Sequence, residues 1–485
     1  MTEKNTADPV QGGVPAGSGG TAVPAGGHVC VAGVGVSGPP VVRALLARGL
    51  RVTVVNSTDD ERARAAAEGL RAAGAGVVLG SDELPEGAAL VVTSPGWRPD
   101  APLLAAAARA GVEVIGDVEL AWRLKPAEQV WLAVTGTNGK TTTVRMLEAM
   151  LRADGRNALA VGNVGTPIID AVLPDASGAV PDVLAVELSS FQLHWSESLR
   201  PHAAAVLNVA PDHLDWHGGF DAYAEAKGKV YAPGTIRVAN TADEVSVRLA
   251  AAGDASAPLV GFGLGTPRPG ELGVVEDLLV DRAFTADRRS TAEELASLSD
   301  VRPAAPHQVA NALAAAALAR AAGAAPGAVR AGLAAFGPEP HRIAPVAEVG
   351  GVLYVDDSKA TNTHAAAASL SAYEPVVWIA GGLLKGAEVG DLVRAAAPRL
   401  RAAVLLGRDR DLLRKALEEH APGTAVAEVA STGAEAMTEV VAEAARLAEP
   451  GDTVLLAPAA ASMDMFPDYN VRGERFAEAV LALPR

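Results

Sequence analysis

The sequence is poor in cysteine, aromatic residues and positive charge, and each shortage excludes a class of protein. One cysteine, Cys30, occurs among 485 residues, so no disulfide can form within the chain. Aromatic residues make up 4%, so the cores must be packed mainly with aliphatic side chains. The formal net charge is −16, with 41 Lys and Arg against 57 Asp and Glu and no basic run, which argues against nucleic acid as a partner.

Long apolar stretches are also missing. No run approaches the roughly 20 apolar residues that a helix needs to cross a bilayer, so no membrane partner is expected. Residues 1–27 lack the apolar segment of a signal peptide. They are rich in Gly, Ala and Pro, which predicts a disordered tail. We therefore expect a cytoplasmic protein, and we expect it to be a monomer.

From His28 onward, short runs of β-branched residues alternate with Ala-rich helical stretches. This alternation predicts an α/β protein with parallel sheets covered by helices. Composition and motif positions divide it into three domains, over residues 28–122, 123–338 and 339–485. The expected architecture is a Rossmann-like N-terminal domain, a central P-loop ATPase-like domain with a mostly parallel sheet, and a C-terminal Rossmann-like α/β domain.

The first glycine-rich loop, "GVGVSG" at residues 33–38, follows a predicted strand and precedes a predicted helix. Its spacing is that of a dinucleotide-binding loop, which is normally completed by an acid about 20 residues later. Asn56 stands at that place and weakens an NAD interpretation. A tightly packed helix start without any ligand remains the alternative.

The second loop, "TGTNGKTTT" at residues 135–143, resembles a phosphate loop, although Val134 stands where the strict pattern has glycine. Gly136, Asn138 and Gly139 allow the backbone amides to turn inward. Lys140 is placed to meet the β- and γ-phosphates, and Thr141 offers a hydroxyl to Mg²⁺.

Further polar residues follow other predicted strands, at the edge where parallel sheets bind ligands. Glu187 ends one strand, and Asp212, His213, Asp215 and His217 follow the next. The third domain has His341 and Arg342 at its start and further polar residues after its strands: Asp357, Lys359, Thr361, Asn362, Lys385, Ser462 and Tyr469. The cations and hydroxyls of this set suit a small dicarboxylate.

Five motifs, "TGTNGKTTT", "ELSSFQL", "NVAPDHLDWH", "HR" and "DDSKATN", resemble in their order the Mur ligase family. "ELSSFQL", "DSKATN" and "PAAASMDMF" are similar to its D-glutamate-adding branch. The resemblance implies an ATP-dependent amide ligase that adds D-glutamate to UDP-N-acetylmuramoyl-L-alanine through an acyl phosphate, in peptidoglycan precursor synthesis. It also implies that the N-terminal domain binds the uridine nucleotide rather than NAD.

The resemblance carries over a role for each matching residue. ATP is expected at Gly136, Thr137, Asn138, Gly139, Lys140, Thr141, Thr142, Gln308, Asn311, Arg342, Asp357 and Lys359. The UDP-substrate is expected at Val36, Ser37, Asn56, Ser94, Gly96, Asn163 and His213. D-Glutamate is expected at Thr361, Lys385, Ser462 and Tyr469. Lys140, Glu187, His213 and Lys227 are the expected catalytic residues.

Two Mg²⁺ ions are implied as cofactors. Thr141 and Glu187 are expected to hold the first, and His213 and Lys227 the second. For Lys227 the resemblance implies carbamylation by CO₂, whereas from the residues alone a lysine on a helix face is normally solvated.

Three alternatives stay open. One is another Mur-type or folylpolyglutamate-type amide ligase, and another is an NAD-dependent oxidoreductase. The third is a regulatory ATP-binding protein without catalysis. The stereochemistry of the added amino acid is also open.

Overall fold

The computed structural model describes residues 26–337, 340–433 and 435–484. They form two compact units, the first reaching to Val301 and including Val309–Phe336, the second comprising Arg302–Gln308 and the chain from residue 337 onward. The predicted disordered tail lies outside the described residues, apart from Gly26 and Gly27.

The first sheet has five parallel strands in the order β3-β2-β1-β4-β5. The strands are β1 (His28–Ala32), β2 (Arg51–Asn56), β3 (Gly76–Leu79), β4 (Ala88–Thr93) and β5 (Glu113–Gly116). The helices are α1 (Gly38–Leu46), α2 (Glu61–Ala72), α3 (Pro102–Arg109) and α4 (Asp117–Leu124). β1 is buried along its whole length, as expected for a parallel strand covered on both faces.

The second sheet, also in the first unit, has nine strands in the order β14-β13-β12-β11-β10-β9-β6-β8-β7. They are β6 (Val130–Thr135), β7 (Ala158–Gly162), β8 (Val183–Glu187), β9 (Ala203–Val206), β10 (Ile236–Asn240), β11 (Leu259–Phe262), β12 (Glu271–Val275), β13 (Leu278–Asp281) and β14 (Glu293–Ser297). The pairs β12–β13 and β13–β14 are antiparallel, and the other pairs are parallel.

The helices of this segment are α5 (Lys140–Ala153), α6 (Ile168–Ala171), α7 (Ser190–His194), α8 (Leu214–His217), α9 (Phe220–Gly228), α10 (Glu244–Ala252), α11 (Pro306–Ala321) and α12 (Pro326–Ala335), with a 3₁₀ turn at Leu298–Asp300. The alanine run of α11 is completely buried, with 0% exposure at Ala314 and Ala317, because its small side chains let the helix pack closely.

The third sheet, in the second unit, has the order β15-β16-β20-β17-β18-β19. The pair β15–β16 is antiparallel, and the other pairs between its described strands are parallel. Its strands are β15 (Ala344–Val349), β16 (Val352–Asp356), β17 (Val376–Gly381), β18 (Leu400–Leu406), β19 (Ala425–Glu428) and β20 (Thr453–Leu456). The helices are α13 (Thr363–Leu370), α14 (Gly390–Ala396), α15 (Arg410–His420), α16 (Ala436–Leu447) and α17 (Tyr469–Leu481), with a 3₁₀ turn at Ala397–Arg399.

The predicted α/β class with three sheet-based segments is confirmed. One cluster of buried apolar residues runs from Val31 and Val54 of the first sheet, past α4 and α6, to Trp131 of the second. The first two sheets therefore share a core. Among the described helices, none has both the length and the hydropathy needed to cross a membrane.

Candidate active site

The phosphate-loop sequence lies between β6 and α5, as its pattern requires. Gly139 is the N-cap of α5 with φ 83°, and a Cβ there would lie 2.4 Å from Oδ1 of Asn311. Glycine is therefore needed at this position for both backbone and steric reasons. Asn208 anchors the loop, because its Oδ1 accepts from the Asn138 amide at 2.9 Å and its carbonyl accepts from the Thr137 amide at 2.9 Å.

Two lysines meet at one carbonyl of this loop. Lys140 Nζ and Lys227 Nζ each donate to the carbonyl oxygen of Gly136, both at 2.8 Å. Lys227 lies on α9 with only 2% exposure, so the expectation of a solvated lysine is wrong. Burial, helped by the charge of Lys140, holds the pKa of Lys227 well below its usual value.

Glu187 lies at the carboxyl end of β8 and is 1% exposed. Its Oε2 accepts from the Thr141 hydroxyl at 2.7 Å, and its Oε1 accepts from Asn163 Nδ2 at 2.9 Å. The neighbouring Thr142 is buried in α5. The structure thus brings three predicted residues, Thr141, Asn163 and Glu187, into direct contact.

These oxygen donors fit a magnesium ion. Mg²⁺ is typically held by one or two carboxylates together with substrate phosphates, rather than by a cage of protein ligands. A buried carboxylate beside a threonine hydroxyl at a phosphate loop supplies that donor set. Accordingly, the described part of the chain holds no group of three or more His, Cys, Asp and Glu residues close enough for a metal site made of protein alone.

His213 occupies a strained position at the start of α8, with φ 51°. Its ring contacts that of Phe191, with centroids 4.8 Å apart, and its Nε2 lies 3.5 Å from Oδ2 of Asp212. The ring of the nearby His217 also stacks on that of Phe191, with centroids 5.6 Å apart. Burial, and to a smaller extent the neighbouring His194, His213 and Lys227, lower the pKa of His217 to about 4, so this imidazole is neutral at pH 7.

The glycine-rich loop after β1 lies next to the ends of β2 and β4. Ser37 Oγ donates to Asp117 Oδ2 at 2.7 Å, and Ser94 Oγ donates to the carbonyl of Ala32 at 3.3 Å. Asn56 Oδ1 accepts from the Val34 amide at 3.4 Å. The sheet therefore places Ser37, Asn56 and Ser94 around a single loop.

Two further predicted residues of this group, Val36 and Gly96, are exposed. Val36 is 83% exposed although it is a large apolar residue. Gly33 has φ 98°, and a Cβ there would lie 3.0 Å from the indole nitrogen of Trp97. The loop thus combines a close-packed base with an exposed apolar tip.

In the second unit, Asp356 is the last residue of β16 and Asp357 follows it. His341 Nδ1 lies 2.7 Å from Asp356 Oδ2, and the Ser369 hydroxyl and the Ile343 amide both donate to Asp357. Burial raises the pKa of Asp357 to about 7, against the effect of these hydrogen bonds and of Arg342.

Lys359 and Tyr469 are in contact, with Nζ 3.5 Å from the centroid of the ring. This is within cation–π distance. Ser462 is buried at the turn after β20, Lys385 is exposed with φ 53°, and Thr361 is partly exposed beside Asn362. Gln308, in the second unit, and Asn311, in the first, are both buried on α11.

Sequence reasoning missed several residues that organise these sites. Asp117 holds Ser37, and Arg472 donates to Ser358 Oγ at 2.9 Å and to the Ala460 carbonyl at 3.1 Å. Asn208, which anchors the phosphate loop, was selected from the sequence only as a polar residue after a strand, without a role. Asp117 and Arg472 lie within helices, where an acid or a cation is usually solvated.

Comparison with family models matches three successive segments of the chain. They are "Mur ligase MurD-like, N-terminal domain" over residues 27–116, "Mur ligase middle domain" over residues 134–319, and "Mur ligase, glutamate ligase domain" over residues 341–460. The matches follow the same order as the three sheets.

Curated relatives are similar over nearly the whole chain. The UDP-N-acetylmuramoylalanine–D-glutamate ligase of Thermobifida fusca is 70% identical over 460 residues, which cover 94% of this chain and 99% of the relative. The enzyme of the same name from Streptomyces coelicolor is 59% identical over 468 residues, with 94% and 98% covered.

Solved structures share the fold at low sequence identity. A pseudomurein peptide ligase type C from Methanothermus fervidus matches with a TM-score of 0.57 and 18% identity, covering 94% of this chain and 100% of that one. The UDP-N-acetylmuramate–alanine ligase MurC of Thermotoga maritima matches with a TM-score of 0.56 and 20% identity, covering 94% and 99%.

Proposed function

The chain belongs to the Mur ligase family, and from this membership we propose that it is the ligase that adds D-glutamate to UDP-N-acetylmuramoyl-L-alanine at the cost of ATP. The observation that carries the proposal is the 70% identity, over nearly all of both chains, to a relative with that name. The product is a peptidoglycan precursor. The resemblance seen in the five motifs leads to the same function.

The reaction needs a better leaving group than a carboxylate can provide. The carboxylate of the alanyl substrate attacks the γ-phosphorus of ATP, the bond to ADP breaks, and an acyl phosphate forms. The amine of D-glutamate then attacks the acyl carbon, phosphate leaves, and an amide remains after the amine loses a proton. The first step brings two anions together, which costs free energy unless positive charge is nearby.

We assign the ATP phosphates to the phosphate loop. In this assignment, the amides of Gly136–Thr142 and the positive end of α5 face the phosphates, and Lys140 exchanges its bonds to the Gly136 and Thr137 carbonyls for the β- and γ-phosphates. Thr141 and Glu187 would hold one Mg²⁺. When bound, the ion supplies positive charge against the repulsion between phosphate and carboxylate.

Lys227 and His213 are proposed for a second Mg²⁺, with Lys227 carbamylated. Only the neutral amine of lysine reacts with CO₂, and the lowered pKa of Lys227 favours that form. The product would be a carbamate, with loss of one proton. That anion would attract the ammonium group of Lys140, whose Nζ shares the Gly136 carbonyl with Lys227 Nζ.

The remaining residues are assigned by the three domains predicted from the sequence. We propose that residues 28–122 bind the uridine nucleotide through Val36, Ser37, Asn56, Ser94 and Gly96, and that residues 123–338 bind ATP. Asn163 and His213 are assigned to the muramoyl part. Residues 339–485 would bind D-glutamate through Thr361, Lys385, Ser462 and Tyr469.

Further contacts to ATP are proposed for Gln308, Asn311, Arg342, Asp357 and Lys359. We also propose that the enzyme acts as a monomer in the cytoplasm, where ATP is available. The acidic net charge of −16 supports the absence of a nucleic-acid partner.

A product assay tests the function. Purified protein is incubated with ATP, Mg²⁺ and UDP-N-acetylmuramoyl-L-alanine, and phosphate release is measured with D-glutamate, L-glutamate and other amino acids. We expect release with D-glutamate, and mass spectrometry should find the amide. Release with another amino acid alone would rule out the D-glutamate assignment.

Variants separate catalysis from mere nucleotide binding. Lys140→Ala should reduce the rate by at least about 100-fold, because it removes the positive charge that stabilises the phosphoryl group during its transfer. Lys415→Ala, an exposed lysine on α15, is the matched control and should keep the wild-type rate. An equal rate in Lys140→Ala would favour the interpretation as a regulatory ATP-binding protein.

A further inference from the structure

Asp117 is a buried carboxylate beside the glycine-rich loop that follows β1. It is the first residue of α4 and is 7% exposed. Its Oδ2 accepts a hydrogen bond from Ser37 Oγ at 2.7 Å, and its Oδ1 accepts from the Val118 amide at 3.0 Å. Both carboxylate oxygens therefore act as acceptors.

Ser37 is the N-cap residue of α1, yet its side chain does not cap the helix. A serine at this position usually accepts from the amide of the second or third helical residue. Here these residues are Pro39 and Pro40, which have no N–H group. The hydroxyl of Ser37 is thus released from capping and turns to Asp117.

A hydroxyl has one hydrogen to donate and two lone pairs that accept. Because Ser37 gives its hydrogen to Asp117, its oxygen can only accept from a bound ligand. A diphosphate carries acceptors alone, whereas uridine carries donors at the uracil N3–H and the ribose hydroxyls. The acceptor role of the Ser37 oxygen therefore suits the uridine part of a nucleotide, which carries donors, and not its diphosphate.

We propose that Asp117 is a positioning residue, which fixes the hydroxyl hydrogen of Ser37 so that Ser37 accepts a hydrogen bond from the uridine of the substrate. This deepens the proposed function and rests on it for the identity of the nucleotide.

The start of α1 supports this role. Pro39 and Pro40 remove two of the amides with which a helix N-terminus binds phosphate. The corresponding residues of α5 are Thr141 and Thr142, which keep their amides. The helix after the first loop is thus less suited to phosphate than the helix after the second.

Binding measurements on the full-length protein test the proposal. Dissociation constants for UDP and for pyrophosphate are measured by calorimetry for wild type and Ser37→Ala. We expect Ser37→Ala to weaken UDP about tenfold, the usual effect of one hydrogen bond, and to leave pyrophosphate unchanged. An equal loss for both ligands would show that Ser37 contacts phosphate and would overturn the proposal.

Asp117→Asn gives a sharper result. The Val118 amide retains the remaining oxygen of the side chain, so the new NH₂ group faces Ser37 and donates to it. The hydroxyl hydrogen of Ser37 then points toward the ligand, where it meets the hydrogen of the uridine group that donates to Ser37 in the wild type. Asp117→Asn should therefore weaken UDP by about tenfold or more, with unchanged KM for ATP and D-glutamate.

A double-variant cycle separates positioning from a general structural effect. In the Ser37→Ala background, Asp117→Asn should cause no further loss of UDP affinity, and Ser37→Thr, which keeps the hydroxyl, should bind like wild type. An equal loss from Asp117→Asn with and without the Ser37 hydroxyl overturns the proposal. Glu61→Gln, in the exposed first turn of α2, is the control and should have no effect.

Analogues identify the donor. The analogue 3-methyl-UDP lacks the uracil N3–H, and 2′-deoxy-UDP and 3′-deoxy-UDP each lack one ribose hydroxyl. The analogue without the group that donates to Ser37 should bind to wild type and to Ser37→Ala with equal affinity. If all three still lose affinity on Ser37→Ala, the proposal is wrong. Should Asp117 variants fail to fold, the Ser37→Ala and Ser37→Thr pair still decides it. Ligase activity of the wild type tests the proposed function separately.

Discussion

Burial changes the proton affinity of two side chains in opposite directions. Burial and the neighbouring charge of Lys140 hold the pKa of Lys227 well below its usual value, which favours the neutral amine. Burial raises the pKa of the Asp357 carboxyl to about 7, which favours its protonated form below that pH. Both groups lie at the carboxyl ends of strands or beside them, where such shifts often accompany function.

The carbamate proposed at Lys227 can be observed directly. Wild-type protein incubated with ¹³C-labelled bicarbonate should show a carbamate carbon resonance, because the neutral amine traps CO₂. Lys227→Arg should lose both this resonance and most of the activity. Lys229→Arg, an exposed lysine paired with Glu197, is the control and should keep both. A resonance that persists in Lys227→Arg would assign the carbamate to another amine.

Asp357 should make stability depend on pH. In the unfolded chain its pKa is near 3.8, so between about pH 4 and 7 the folded state holds a proton that the unfolded state has lost. Raising the pH through this window therefore destabilises the folded state, by at most about 4 kcal/mol for a shift of this size. The loss should be complete above pH 7.

The measurement is the thermal midpoint of Asp357→Asn and wild type at pH 5 and pH 8. The midpoint of wild type should fall more between the two pH values than that of Asp357→Asn, which cannot titrate. Asp391→Asn, which changes a side chain that is 97% exposed, should follow wild type. Parallel pH dependence in wild type and Asp357→Asn would contradict the raised pKa.

Among the elements, the turn from β6 into α5 depends on the backbone geometry of Gly139. Gly139 combines a positive φ with a side-chain clash, since Asn311 of α11 lies against the loop. Asn208, at the end of β9, holds the opposite side through two hydrogen bonds to Asn138. The loop is therefore shaped by residues of two elements that are distant from it in sequence.

A matched pair of glycines separates steric contact from backbone strain. Gly139 has φ 83° and Gly155 has φ 82°, but a Cβ at Gly155 would have no atom within 4 Å. Gly155→Ala should cost about 1 kcal/mol of stability from the left-handed backbone alone. Gly139→Ala should cost more and should raise the KM for ATP. Equal effects of both variants on the KM for ATP would contradict a special fit at Gly139.

Across the whole molecule, the first and second sheets are joined by more than the chain. Glu119 of α4 is fully buried and accepts from the amides of Glu197 and Ser198, at 3.1 and 3.0 Å. Arg123 donates to the same carboxylate at 2.8 Å. With the shared apolar core, this predicts that the two sheets of the first unit unfold together.

Hydrogen exchange can test this cooperativity. Glu119→Ala removes the acceptor of two partly buried amides, and a buried amide left unsatisfied typically costs about 1–3 kcal/mol, so the loss here should lie at or below that range. Peptides covering β1 and β6 should lose protection together, while peptides covering β17 of the second unit keep theirs. Glu61→Ala, an exposed acid on α2, is the control. Loss of protection in β6 without any change in β1 would contradict a shared unit.

The sequence by itself determined the α/β class, the three successive segments and the phosphate loop with Lys140, Thr141 and Glu187 near one another. These features depend on local patterns: β-branched runs form strands, glycines form turns, and parallel strands present their carboxyl ends at one edge. Several short strands escaped prediction, such as β3 and β19, because their partly exposed residues carry no strong apolar signal.

Only the tertiary structure decided the state of individual side chains. The contact of Ser37 with Asp117 joins residues 80 positions apart, and that of Lys227 with Gly136 joins residues 91 positions apart. Nothing in the residues around Asp117, Lys227 or Asp357 indicates that each is removed from water. Proton affinity and hydrogen-bond polarity follow from burial and from neighbours across the fold, so they could not be determined before the chain was packed.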